Sequence, residues 1–100
     1  MGLNSIRLRS VQIEQFCNKY HIRRLAFFGS VVRDDFGPYS GLDVLVEFEP
    51  GHIPGFDFFL MEVELSRLLD CKVDLQTEKF LSPDIRQSVL SEAITAYEHT

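Results

Sequence analysis

The chain has 100 residues, 45% hydrophobic and 25% charged, with a formal net charge of −5 at pH 7. That length predicts a single domain over 1–100, with a core but no room for a separate substrate domain. The acidic balance excludes sequence-independent nucleic-acid binding, no apolar run approaches the roughly 18 residues of a membrane span, and Met1–Ser10 lacks the apolar stretch of a signal peptide.

Residues 5–20 predict a helix, because Ile13, Phe16, Cys17 and Tyr20 recur on one face of a 3.6-residue period. Residues 22–28, IRRLAFF, read as a buried strand stopped by Gly29. Residues 30–35 suggest a short helix or turn, and 36–41, FGPYSG, a loop. Residues 42–48, LDVLVEF, form a second strand, followed by a break at 50–55. A helix over 56–69 places Phe58, Met61, Leu65, Leu68 and Leu69 on one side. Residues 71–76 form a third strand. Ser82-Pro83-Asp84 starts a last helix: a capping Ser, Pro in the first turn, and Asp at the positive end of the dipole. Ile85, Val89, Ala93, Ala96 and Tyr97 extend its apolar stripe to about residue 98. The expected class is α/β or α+β, a few strands covered by helices. Cys17 and Cys71 sit in apolar contexts without Cys-x-x-Cys spacing and read as two buried thiols of a cytoplasmic protein.

Three features ask for more than folding. Gly29-Ser30 lies between a strand and a short helix, where the backbone can approach a ligand and a helix N-terminus offers N–H groups to phosphate; the alternative is a plain turn. Asp43 and Asp74 each interrupt an apolar strand, which is costly for an unpaired carboxylate. Each faces water at a strand end or is held by a cation. Two carboxylates on neighbouring strands beside a phosphate-binding turn suit a hard divalent ion such as magnesium. His21, His52 and His99 are dispersed without metal-ligand spacing, and Ser30 has no adjacent His or Lys to mark a hydrolase nucleophile. Arg23 and Arg24 lie at the start of the first strand, where they could meet phosphate, an acidic partner or solvent.

The segment GSVVRDDFGPYSGLDVLVEFEPG, residues 29–51, resembles the signature of the polymerase-beta-like nucleotidyltransferase superfamily, and its minimal branch in particular. Gly29, Ser30, Arg33, Ser40 and Asp43 match in register, Asp35 matches the usual acidic residue, and Lys72-Val73-Asp74-Leu75 fits the later carboxylate strand. Asp34 stands where that family usually has Gly. The resemblance implies a palm-like mixed sheet flanked by helices. It implies ATP with Mg2+, Gly29, Ser30, Arg33 and Ser40 at the nucleotide, and Asp43 and Asp74 as catalytic metal ligands close enough to share a cation. The minimal branch resembles antitoxins that transfer AMP to a tyrosine of a HEPN ribonuclease toxin, so a HEPN partner is expected. The departure is Gly41, where the family has its first Asp. Glu47 is about 13 Å along the strand from Asp43, too far to replace it, and Asp35 is the better candidate. The alternative is an inactive member that neutralises its partner by binding alone. A small-molecule nucleotidyltransferase is disfavoured, since no second domain holds the substrate.

Overall fold

The chain alternates helices and strands: α1 (Ser10–Lys19), β1 (Ile22–Phe28), β2 (Leu42–Phe48), α2 (Asp57–Leu69), β3 (Val73–Thr77), α3 (Pro83–Glu92) and β4 (Ile94–Glu98). The computed structural model describes residues 8–29, 41–52, 54–77 and 81–99. The strands form one mixed sheet in the order β3-β2-β1-β4. β1 runs antiparallel to both β2 and β4, whereas β2 and β3 run parallel through the α2 crossover.

One face of this sheet carries the core. Leu25 and Phe27 of β1, Leu42, Val44 and Val46 of β2, and Val73 and Leu75 of β3 pack with Ile13, Phe16 and Cys17 of α1 and Met61, Leu65 and Leu69 of α2. The period of 2 in the strands and of 3.6 in the helices brings these residues to one layer. Arg9 donates to the Leu69 carbonyl at 2.9 Å and so satisfies one of the open carbonyls at the end of α2. The Lys19–Glu64 bridge at 2.9 Å joins the same two helices, but it is exposed and adds little.

Four expectations change. The first helix begins at Ser10, after a turn at Leu8 and Arg9, and residues 5–7 lie outside the described set. The last helix stops at Glu92 instead of continuing to 98. Ala93 adopts an extended conformation (φ −63°, ψ 139°), and Ile94–Glu98 pair with β1 as β4. The sequence ITAYE satisfies a helical stripe and a strand equally well. The open backbone edge of β1 decides between them, since its N–H and C=O groups need partners. Tyr97 then packs on the core, and its hydroxyl donates to Asn18 Oδ1 at 3.1 Å. Ser82 does occupy the cap position with Pro83 following, but its side chain makes no capping bond. Finally, only Cys17 is fully buried, while Cys71 is half-buried. The short segment read over 30–35 lies outside the described residues.

Burial, with the nearby Glu14 charge, pushes the Cys17 thiol up to about 12; Cys71 is also raised, chiefly by burial. Because the thiolate is the nucleophile, Ellman's reagent at pH 8 is expected to modify Cys71 in the native protein and spare Cys17. Denaturant should release the second equivalent. Two equivalents titrated at equal rates without denaturant would show that the α1 layer opens.

Candidate functional site

The site residues are placed by strand ends. β1 terminates at Phe28, and Gly29 turns the chain with φ +78°, a left-handed conformation that costs glycine nothing. Asp43 stands opposite Phe28 on one side and opposite Asp74 on the other. In-register residues on adjacent strands lie about 4.8 Å apart and project to the same face. Leu42 and Val44, which flank Asp43, point into the core, as do Val73 and Leu75, which flank Asp74. Both carboxylates therefore leave the core face together, and both residues are half-buried. That alternation explains how an Asp sits within each apolar strand.

Two glycines complete the arrangement. A Cβ on Gly41 would run into Oδ2 of Asp74 and lie 3.3 Å from its Cγ. A Cβ on Gly29 would run into Oδ2 of Asp43 and lie 3.2 Å from its Cγ. Each carboxylate thus occupies the space that a side chain on the neighbouring glycine would fill. Gly29, Gly41, Asp43 and Asp74 form one cluster at one end of the sheet. Ser30, Arg33, Ser40, Asp34 and Asp35 lie outside the described residues. Glu47, at the far end of β2, stands opposite Arg24 and away from the cluster.

Oxygen donors paired on one face suit a hard cation, and the absence of a Cβ at Gly29 and Gly41 is what lets each carboxylate lie where it does. Among the described residues, no group of three or more His, Cys, Asp or Glu could hold a metal ion. Two carboxylates would therefore bind such an ion together with substrate oxygens or water. A groove of about 540 Å³ lies between α2 and the start of β3, lined by residues that include Glu62, Ser66 and Lys72 but neither Asp43 nor Asp74.

Sequence spacing missed two side-chain groupings. His21 and His52, dispersed in the sequence, are exposed and stack with ring centroids 4.0 Å apart, and His99 Nδ1 lies 3.1 Å from Glu49 Oε1. Both contacts are at the end of the sheet remote from Asp43. Arg24, for which phosphate, an acidic partner and solvent were all open, donates to Thr95 Oγ1 at 3.1–3.2 Å on an exposed part of the sheet. The second grouping is Glu62 and Ser66 on α2, which bond the backbone of β3. Only the i, i+4 spacing of two polar residues beside the buried Met61 and Leu65 hinted at it.

Residues 10–96 match the nucleotidyltransferase domain family. The chain belongs to that family. It is 35% identical over 77 residues to the protein adenylyltransferase MntA of Thermococcus cleftensis, covering 76% of each chain. A solved structure described as a candidate minimal nucleotidyltransferase superposes with a TM-score of 0.80 at 36% identity, covering 94% of this chain and 95% of that one. Two toxin–antitoxin complexes share the fold at lower identity. One, bound to AMP-PNP, has a TM-score of 0.74 at 17% identity and covers 91% of this chain and 74% of the other. The other is a tri-AMPylated Shewanella oneidensis HEPN toxin with its MNT antitoxin, at a TM-score of 0.67 and 19% identity, covering 92% and 71%. The nucleotidyltransferase fold expected from residues 29–51 is thereby established for this chain. No helix among the described residues is long and apolar enough to cross a membrane.

The left-handed Gly29 turn provides a direct test. Gly29→Ala is expected to destabilise the nucleotidyltransferase domain by about 1–2 kcal/mol through backbone strain. The added methyl would also displace the Asp43 carboxylate. Urea unfolding measures the first effect. An unchanged midpoint would show that the turn relaxes to a different conformation.

Proposed function

We propose that this chain is an antitoxin that transfers AMP from ATP to a tyrosine of a HEPN toxin, with activity reduced by Gly41. The observation that carries this reading is the register of Asp43 with Asp74, which sets two carboxylates on one face beside the Gly29 turn. Its family membership and the MntA relative supply the reaction class. The toxin–antitoxin complexes that share its fold suggest the partner.

In this reading Gly29 and Ser30, with Arg33 and Ser40, hold the triphosphate, roles carried over from the family signature. Asp43 and Asp74 would hold Mg2+, which supplies charge neutralisation at the α-phosphate. The tyrosine oxygen forms a bond to the α-phosphorus while the bond from that phosphorus to the bridging oxygen breaks. Pyrophosphate leaves with the electron pair. Asp74 takes the tyrosine proton or directs it to water. The protein's contribution is mostly positioning: the sheet holds both carboxylates before substrate arrives.

The second reading, neutralisation by contact alone, is favoured by one observation: position 41 has no carboxylate. Mass spectrometry of the toxin co-expressed with this chain separates the two. One or more added AMP units support transfer, and loss of that adduct in Asp43→Asn and Asp74→Asn assigns the site. An unmodified but neutralised toxin supports contact alone. Both readings predict co-elution of the pair at micromolar concentration, because an obligate interface buries more than about 1,200 Å².

Gly41→Asp is expected to raise AMP transfer. A third carboxylate would help balance the cation charge, and recovery of roughly 3–5 kcal/mol corresponds to about 10²- to 10⁴-fold in rate. Gly41 is not among the left-handed glycines, so an Asp there meets no backbone strain. Its Cβ does meet Oδ2 of Asp74, the far end of a side chain that can rotate aside. Labelled-AMP incorporation at saturating magnesium measures the change. Equal rates from two folded proteins would show that another group already fills this role.

A further inference from the structure

β3 is an edge strand of only five residues, so few ladder bonds hold it. On its inner side, Leu42 N donates to the Lys72 carbonyl at 2.8 Å, and Asp43 and Asp74 stand in register. On its outer side, α2 takes the place of a further strand. Val73 N donates to Ser66 Oγ and Leu75 N to Glu62 Oε2, both at 3.0 Å. These are the amides on either side of Asp74. Ser66 Oγ in turn donates to the Glu62 carbonyl at 2.8 Å, so its hydrogen is committed and a lone pair faces Val73. An amide bonded to a carboxylate is among the stronger backbone contacts.

We propose that Glu62, together with Ser66, is a positioning residue that fixes the height and rotation of β3 so that Asp74 stands level with Asp43. It thereby sets the affinity of the carboxylate pair for a divalent cation. A strand that slips by one residue turns every side chain to the opposite face, which would carry Asp74 into the core side. The two α2 bonds oppose that slip at the two residues where it matters. They also occupy edge amides that would otherwise be open to another strand. Glu62 acts through β3 and is assigned no contact with the cation. The inference rests on reading Asp43 and Asp74 as the cation-binding pair.

Manganese, a paramagnetic substitute for magnesium, tests this without any activity assay. The free-ion electron paramagnetic resonance signal reports binding to the isolated chain and to the Asp74→Asn, Glu62→Ala, Glu62→Gln and Ser66→Ala variants. Circular dichroism melting confirms that each is folded at the assay temperature. Glu62→Ala is expected to weaken manganese binding by about tenfold, as loss of a group that orients a ligand commonly does. Glu62→Gln keeps a neutral oxygen acceptor for the Leu75 amide and is expected to stay within about threefold of the parent. If Glu62→Ala is unfolded, Ser66→Ala carries the comparison, with severalfold weakening expected. Parent-like affinity in Glu62→Ala or, where that variant is unfolded, in Ser66→Ala, while Asp74→Asn loses binding, overturns the positioning role and leaves the carboxylate site standing. Equal losses in Glu62→Gln and Glu62→Ala overturn it too, because charge rather than the bond to β3 would then be responsible. Manganese binding that Asp74→Asn leaves unchanged overturns the site reading itself.

Discussion

The structure turns on the parallel register of β2 with β3, which stands Asp43 beside Asp74. The backbone ladder holds them there because the same register buries Leu42, Val44, Val73 and Leu75 on the opposite face. Sliding the strands to separate the charges would expose those side chains. The fold thus keeps both carboxylates on one face, at the end of the sheet where β1 stops.

The two faces of the sheet divide the work. α1 and α2 cover one face and bring Phe16, Cys17, Met61, Leu65 and Leu69 onto the strands. The other face carries the carboxylates at one end, where β1 stops and β2 and β3 begin. There the two glycines matter through what they lack. Gly29 and Gly41 leave open the volumes that the Asp43 and Asp74 carboxylates occupy. The absence of a side chain at position 41 is what gives the Asp74 carboxylate its space.

Edge protection links the core to the site. β3 is closed on its outer side by side chains of α2, and β1 by β4. In each case a backbone edge needed hydrogen-bond partners, and a neighbouring segment supplied them. At β1 this converts Ile94–Glu98 from a continuation of the last helix into a strand. At β3 it brings a glutamate and a serine against the two amides that bracket Asp74.

What the sequence determined by itself was local or carried by a contiguous motif. The bounds of β1 and β2 were legible because each is a short apolar run flanked by turn residues, and α2 because Met61, Leu65 and Leu69 repeat at helical spacing. Asp43 and Asp74 stood out because a charge within an apolar strand is costly enough to need a reason, and Gly29 because it ends such a strand. The tertiary structure decided matters that depend on partners distant in sequence. ITAYE suits helix and strand alike, and only the free edge of β1 resolved it. His21 and His52 are 31 positions apart in the chain, yet the β1 and β2 ends bring their rings to 4.0 Å. The hold of Glu62 on Leu75 has no signature, because a helix side chain reaching a strand amide is set by how the two elements pack. Hydrophobic period and turn chemistry act within a few residues, whereas backbone edges are satisfied by whichever segment the packed core delivers to them.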